Sequence, residues 1–265
     1  MDYSKLGQAA AKSDDLTVKR ETARELPKEG MALLRLRDYI ELGRHEAKNP
    51  QHKPSLKVML TFELSHPKHM IEIDGKKVPS TITVRVNKTY SDKGKYIPLF
   101  NAMNRCFGKQ YNHFVEMINK PMIAEIYHNK SEDGKTTYAN LDIDGSWSFK
   151  EAAQIDAITE TKTPVPVPEL DGIPKVFLWE ADGMSDEDIL EMWESIYIEG
   201  TRTNEKNEEV SKNWIQESVM ENIEWEGSTV QALTQEHVSL DEPEESPKKD
   251  SLAANASGNV PNLDD

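Results

Sequence analysis

Hydrophobic and polar residues alternate along three stretches in the first third of the chain, and the alternation then gives way to a longer period. In residues 56–64 the apolar side chains occupy every second position, which predicts a strand that is buried on one face. Residues 31–42 and 81–88 alternate in the same way, and the second stretch is rich in β-branched residues. Between Pro98 and Phe107 the apolar positions recur at helical spacing, so a helix is predicted after the third strand.

Two further alternating stretches, residues 122–128 and 137–143, follow this helix, and residues 111–118 predict a second helical stretch before them. Three strands, a helix and two more strands is the element order of the OB-fold, a small Greek-key barrel that commonly holds single-stranded nucleic acid. We therefore predict a mainly β (α+β) fold. Residues 27–160 should form an OB-like five-stranded barrel with a helix between strands three and four.

The first strand determines which side chains of the predicted barrel reach solvent. A strict period of two assigns four of its side chains to the core, namely Leu34, Leu36, Ile40 and Leu42. The same period turns Arg35, Arg37 and Tyr39 toward the outer face. Asp38 interrupts the apolar face, which indicates a bulge or a strand end near it.

Three segments flank the predicted barrel. Residues 1–26 are polar with little periodicity and predict a loose arm or a marginal helix. Residues 161–238 predict a Pro-rich strap followed by an acidic helical extension. Residues 239–265 contain hardly an aliphatic side chain, so we expect a disordered acidic tail.

Local patterns within and before the extension predict further elements. Residues 152–158 predict a short helix, and residues 175–179 predict a short strand. Ser185 is the predicted N-cap of a helix, because Asp188 follows it at the capping-box position. Residues 210–223 predict a second helix that buries its apolar stripe.

Charge is distributed unevenly along the 265 residues, whose net charge is −15. Residues 27–150 carry 20 Lys and Arg against 14 Asp and Glu, whereas residues 180–265 carry 5 against 23. A mildly basic body is therefore joined to a strongly acidic C-terminal third. Cys106 is the single cysteine, and the sequence contains neither a secretory signal pattern nor a membrane-length apolar run. We expect a cytoplasmic protein with no membrane association.

Catalytic and metal-binding signatures are not recognisable in the sequence. It contains no glycine-rich phosphate loop. His66 and His69 have a spacing seen in some metal sites, but no third ligand is recognisable near them, so we interpret them as two solvated histidines. Asp142 and Asp144 read as a strand-end pair, and Cys106 as a buried thiol without a neighbouring base. We expect neither enzymatic activity nor a cofactor or metal.

Basic and aromatic side chains on the outward strand faces suit single-stranded nucleic acid, which is held by cations that follow the phosphates and by rings that stack on bases. The predicted phosphate contacts are Arg35, Arg37, Lys57, Arg85 and Lys88, with Arg44 and Lys53 on the groove rim. The predicted stacking residues are Tyr39, Tyr90, Tyr127 and Tyr138. The alternative is an ordinary solvated sheet face, on which the same residue types are common.

The acidic tail suggests a function of its own. An anionic tail beside a basic groove can compete with nucleic acid or provide a handle for partner proteins. Its tip places Leu263 beside Asp264 and Asp265, so these three residues are the predicted partner-binding site. The alternative is a tail that only increases solubility.

Several stretches resemble bacteriophage single-stranded DNA-binding proteins of the OB-fold type. They are DYIELG, KVMLTFEL, TVRVNKTYS, NKPMIAEIYH with GKTTYANLDI, and MWESIYIEG with SKNWIQESV, together spanning roughly residues 30–235. The acidic tail also matches that architecture, although it ends in Leu-Asp-Asp where such tails commonly end in phenylalanine. The resemblance implies a protein that coats single-stranded DNA during replication or recombination, with replication or transcription proteins as partners and possible self-association.

A second interpretation assigns the function to residues 180–227, which are rich in Trp and acidic residues. In it, the protein is a phage transcription cofactor or protein-interaction module that binds melted promoter DNA and recruits RNA polymerase.

Overall fold

A computed structural model describes residues 26–47, 50–73, 75–131, 134–156, 158–170, 172–180, 182–204 and 208–241. The protein is mainly β and is organised around one large antiparallel sheet. Nearly all of the predicted N-terminal arm and residues 242–265 lie outside the described residues.

The strands of the first half of the chain carry the sheet and its connections. They are β1 (Gly30–His45), β2 (Ser55–Leu64), β3 (Met70–Ile73), β4 (Lys76–Pro79), β5 (Thr81–Asn87), β6 (Pro121–Lys130), β7 (Thr137–Asn140), β8 (Asp142–Ile143) and β9 (Ser146–Trp147). Those of the second half are short: β10 (Lys150–Glu151), β11 (Ala153–Ile155), β12 (Lys162–Pro164), β13 (Val176–Phe177), β14 (Thr201–Thr203) and β15 (Glu209–Ser211). The helices are α1 (Tyr96–Arg105), α2 (Asp186–Ser195), α3 (Trp214–Met220) and α4 (Thr229–Asp241).

The large sheet has the order β10-β6-β1-β2-β5, and β7 extends it beside β6. The first four predicted strands are confirmed as β1, β2, β5 and β6, whereas the fifth is divided into β7 and β8. Strand β7 lies near β5, but no ladder joins them, so the sheet does not close into a hydrogen-bonded barrel within the part of the chain that is described.

Strand β1 is the centre of the sheet and changes partner along its length. Its first six residues pair with β6, and Tyr39 and Ile40 pair in parallel with β13 at the same edge. Strand β2 pairs with β1 along its other edge, from Leu34 to His45. One long strand therefore joins the N-terminal body to the C-terminal extension.

Two bulges in β1 alter which side chains face the main core. The pairs Leu36↔Phe62 and Asp38↔Thr61 leave Arg37 as an extra residue, and Leu42 is extra in the same way farther along. Because each extra residue shifts the alternation by one, the faces exchange after Arg37. The bulge expected near Asp38 is confirmed. The assignment of Ile40 and Leu42 to the same core as Leu34 and Leu36 was wrong: these two pack on the opposite side of the sheet.

Helix α1 covers one end of the main core. Tyr96, Leu99 and Met103 are buried there against the inner faces of the strands. The helix begins two residues before Pro98, which is tolerated in the first turn because the N–H groups there lack intrahelical partners. Of the second predicted helical stretch only a short 3-10 turn forms, Phe114–Met117.

The C-terminal extension packs on the outer face of the sheet. Phe177, Ile196 and Val219 are completely buried there together with Ile40 and Met59. Fully burying one such side chain stabilises the folded state by about 1.5–3 kcal/mol. The extension is therefore a structural part of the fold rather than a loosely attached segment.

Local predictions for the extension have mixed outcomes. The capping box at the start of α2 is confirmed, because Ser185 Oγ accepts a hydrogen bond from Asp188 N and the Asp188 carboxylate accepts one from Ser185 N. The helix expected at residues 152–158 was wrong, since β11 occupies part of it. Helix α3 is shorter than predicted because β15 occupies the start of that stretch, and α4 continues to Asp241, past the predicted start of the tail. Within the described residues, none of the helices has the length and apolarity needed to cross a membrane.

Candidate nucleic-acid interface

Two predicted DNA contacts in β1 are buried and face protein. Arg35 is 1% exposed and Tyr39 is 0% exposed. Tyr39 belongs to the main core because the bulge at Arg37 turns it inward, where its ring stacks against Phe114. Burial and the nearby Glu41 carboxylate raise the pKa of Tyr39. The assignment of Arg35 and Tyr39 to an accessible binding face was therefore wrong.

Arg35 attaches the Pro-rich strap, at Pro168 and Glu169, to the sheet. Its guanidinium donates two hydrogen bonds to Glu63 Oε1, from Nε at 3.0 Å and from Nη2 at 2.6 Å. It also donates to the backbone carbonyls of Pro168 and Glu169, at 2.6 and 2.8 Å, and to Asn119 Oδ1 at 3.1 Å. These bonds satisfy a buried charge and leave none of it directed toward solvent.

Lys88, another predicted phosphate contact, is held at the junction between the body and the extension. Its Nζ lies 2.8 Å from the buried Glu41 carboxylate and 3.0 Å from Glu180. Burial alone would lower the pKa of Lys88, but its hydrogen bonds and charge interactions with both carboxylates outweigh burial and raise that pKa. Glu41 also accepts hydrogen bonds from the backbone N–H groups of Trp179 and Glu180, so Lys88 forms part of the attachment of the extension.

Arg44 and Arg37 are also engaged with carboxylates. Arg44 Nε lies 2.8 Å from Glu224, and its Nη2 lies 3.8 Å from Glu180. Arg37 is 26% exposed, and its Nε lies 3.6 Å from Asp38. Four of the seven predicted cations therefore face carboxylates of the same chain.

The remaining three predicted cations, Lys53, Lys57 and Arg85, form no ion pair with any described residue. Lys53 is exposed in the connection between β1 and β2. Lys57 pairs with Asn87 and Met59 pairs with Arg85 in the register of β2 and β5. Lys57 and Arg85 are therefore diagonal neighbours on the outer face, close enough for long side chains to act together.

A cleft of about 460 Å³ opens beside these two cations. The sheet contributes Lys57, Arg85 and Asn87, and the end of β1 contributes His45. Ser218 of α3 and Glu221, which follows the helix, also line the cleft. The cleft thus combines the two unpaired cations with polar side chains and one carboxylate, that of Glu221, from the body and the extension.

Trp214, the first residue of α3, does not line the cleft itself, but its ring contacts Arg85, which does. The Arg85 guanidinium carbon lies 5.2 Å from the centre of the Trp214 ring, which is a cation–π distance. Sequence reasoning did not select His45, Asn87 or Trp214. Trp214 was assigned to the buried stripe of its helix, whereas it is half-buried. The tryptophan was visible in the sequence, but its position opposite β5 depends on how the extension docks.

The other predicted stacking residues lie outside the cleft. Tyr90 is 78% exposed after β5, with its ring edge-on to the buried Tyr96. Tyr138 is 45% exposed and Tyr127 is half-buried, and both lie on the outer face of β6 and β7. The Tyr127 hydroxyl donates to Glu125 at 2.8 Å. The structure does not bring these three rings into the cleft.

The histidines near β3 differ from each other. His66 is exposed, whereas His69 is 3% exposed and neither of its ring nitrogens has a hydrogen-bond partner among the described residues. Burial, with a smaller contribution from the nearby Lys68 charge, lowers the pKa of His69 to about 4. The prediction that His69 is solvated was wrong. No cluster of three potential metal ligands occurs within the described ranges.

Cys106 is buried as expected, and burial raises the pKa of its thiol to about 11. The predicted partner-binding tip, Leu263, Asp264 and Asp265, lies outside the described residues. Comparison of the chain with protein-family models, with curated proteins and with solved structures found no match.

Proposed function

We propose that this protein binds single-stranded DNA largely without sequence preference, as a phage replication or recombination protein would. The observation that carries the proposal is the cleft between β2, β5 and α3, where Lys57 and Arg85 are free of carboxylate partners among the described residues. A positive groove beside an aromatic ring is the arrangement by which single strands are held without base-specific contacts.

The topology supports the same proposal. We interpret the sheet as an open OB-type barrel: β1, β2 and β5 form its antiparallel meander, α1 follows, β6 returns beside β1, and β7 pairs with β6. Strand β7 approaches β5, which is the contact that would complete such a barrel. OB-folds bind oligonucleotides on the face of their second and third strands, which correspond to β2 and β5, and this is the face that carries the cleft.

The number of cations without a carboxylate partner predicts how steeply the proposed DNA binding depends on salt concentration. Each neutralised phosphate of a single strand contributes about −0.7 to the slope of log affinity against log salt. Three free cations predict a slope of about −2, whereas contact by all seven cations named from the sequence would give about −5. The slope therefore distinguishes a short contact at the cleft from a strand that follows the whole sheet.

Fluorescence anisotropy of labelled oligo-dT at several salt concentrations measures this slope. Replacing Lys57 and Arg85 together by Gln should weaken binding and reduce the magnitude of the slope by about 1.4. Arg44→Gln is the matched control, since Arg44 already faces Glu224 and Glu180 and its loss should leave the slope unchanged. Absence of binding at low salt, both by the whole chain and by a chain lacking residues 242–265, would refute the proposal.

We further propose that the acidic C-terminal residues compete with the strand for the free cations or recruit replication or transcription proteins. Removal of residues 242–265 deletes six acidic and two basic side chains and should raise affinity at low salt more than at high salt. Equal affinity with and without these residues at every salt concentration would refute the competition and leave partner recruitment or increased solubility as their function.

A further inference from the structure

Arg85 and Trp214 form a contact between distant parts of the chain, one in the sheet and one in the extension. The guanidinium carbon lies 5.2 Å from the ring centre, Arg85 is exposed, and Trp214 is half-buried against the second core. The guanidinium therefore lies over the indole ring. Arg85 is exposed and lines the cleft, so part of its side chain is accessible there.

A guanidinium in this position is suited to stacking on a nucleobase. It is planar, weakly hydrated and able to stack on aromatic faces, and its N–H groups can reach a phosphate at the same time. Contact with a ring restricts the rotamers of the long side chain before any ligand arrives, so less freedom is lost on binding. Lys57 stands diagonally across the ladder on the same face, where it can meet the adjoining phosphate.

We infer that one nucleobase of a bound strand stacks on the Arg85 guanidinium, with Trp214 behind it as a positioning residue. The inference rests on the proposed binding of single-stranded DNA and assigns one stacking position within the cleft. It also makes the extension part of the ligand site. A strand bound only to the sheet would gain nothing from a tryptophan that belongs to α3.

A double-mutant cycle tests whether Trp214 acts through Arg85. The variants are Arg85→Lys, which keeps the charge but loses the plane, Trp214→Leu, which keeps an apolar side chain but loses the ring, and the double variant. Each single change should weaken oligo-dT binding about tenfold, the order expected for loss of one stacked base. The double variant should be scarcely weaker than Arg85→Lys, because the ring has no effect once the guanidinium is absent.

Two controls separate positioning from folding. Trp214→Phe retains a ring and should restore most of the affinity, and circular dichroism reports whether Trp214→Leu folds. Trp225→Leu removes a ring that stacks on Trp193 in the same extension, whereas the ring at the Arg85 guanidinium is that of Trp214, so affinity per folded molecule should be unchanged. An oligonucleotide containing 2-aminopurine should lose fluorescence on binding the wild-type protein and lose less on binding Arg85→Lys.

The outcomes of these experiments are distinct. Failure of the wild-type chain to bind oligo-dT would overturn the proposed function itself. Binding by the wild type with equal losses from Trp214→Leu in both backgrounds would overturn only the stacking inference and give Trp214 a structural role. Wild-type affinity of Arg85→Lys, or unchanged 2-aminopurine quenching, would also overturn the inference.

Discussion

Replacing Arg35 by Ala should destabilise the protein without changing the salt dependence of the proposed DNA binding. The sequence pattern assigns Arg35 to phosphate binding, whereas the structure gives all of its hydrogen bonds to the protein. The substitution leaves Glu63, which is 0% exposed, without its cationic partner. It also removes the donors to the carbonyls of Pro168 and Glu169, which hold the strap.

The expected loss is large compared with the stability of a domain. Removing one partner of a buried ion pair costs about 3–5 kcal/mol, because the remaining charge stays buried and unpaired. The total free energy of unfolding of a protein is about 5–15 kcal/mol. At about 3 kcal/mol per molar urea, the midpoint of unfolding should fall by about 1–2 M.

Urea unfolding followed by tryptophan fluorescence measures this shift, since four of the five tryptophans lie in the extension that the strap precedes. Lys53→Ala, at an exposed position, is the control and should change stability by about 0.5 kcal/mol or less. Arg35→Met combined with Glu63→Leu should recover most of the loss, because the pair is replaced by apolar groups together. An Arg35→Ala protein with an unchanged midpoint and a weaker salt dependence of DNA binding would refute this reasoning and make Arg35 a phosphate contact.

The remaining predictions concern the pH dependence of stability and the close contact between Gly43 and Asn222. The pKa of His69 is lowered from 6.5 to about 4, so the unfolded state takes up its proton first as pH falls. Up to about 3 kcal/mol of stability should be present above pH 6.5 and be lost progressively between pH 6.5 and 4. Urea midpoints at successive pH values should show this loss, His69→Leu should reduce it, and the exposed His52→Gln should not. Gly43→Ala should destabilise the protein by about 2 kcal/mol or more in the same assay, because φ is +84° and the new Cβ would lie 2.5–2.7 Å from Asn222 atoms. Gly30→Ala shares the positive φ but meets nothing within 4 Å, so a loss as large as that of Gly43→Ala would refute the contribution of the Asn222 contact.

Elements with a clean period could be predicted from the sequence. Strand β2 and strand β5 occur within one residue of their predicted ends, and the helix follows them as the change of period indicated. The capping box of α2 was equally accessible, because it depends on residues only three positions apart. Local patterns determine these elements, so neighbouring residues were sufficient.

The faces of β1 could not be predicted, since they depend on its partners. Asp38 indicated a bulge or a strand end nearby, but the pairing with β2 is what places the extra residue at Arg37 and so exchanges the environments of Tyr39 and Ile40. Arg35 looks solvent-exposed in any alternating pattern, yet Glu63 and the strap enclose it. A sequence pattern cannot reveal such a long-range partner for a charged residue, and three of the seven predicted cations, Arg35, Arg44 and Lys88, were misjudged for that reason.

The docked extension also limits which parts of the sheet a single strand of DNA could contact in the proposed complex. Phe177 and its neighbours cover the outer face beside β1, and the strap covers Arg35. Glu180 and Glu224 neutralise Arg44 and Lys88 at the junction. Of the seven predicted cations, only Lys57, Arg85 and the exposed Lys53 have no carboxylate partner among the described residues, and Lys57 and Arg85 line the cleft beside α3. If the protein binds single-stranded DNA as proposed, each molecule would contact only a few phosphates in this short region, and coverage of a long strand would require many molecules bound side by side.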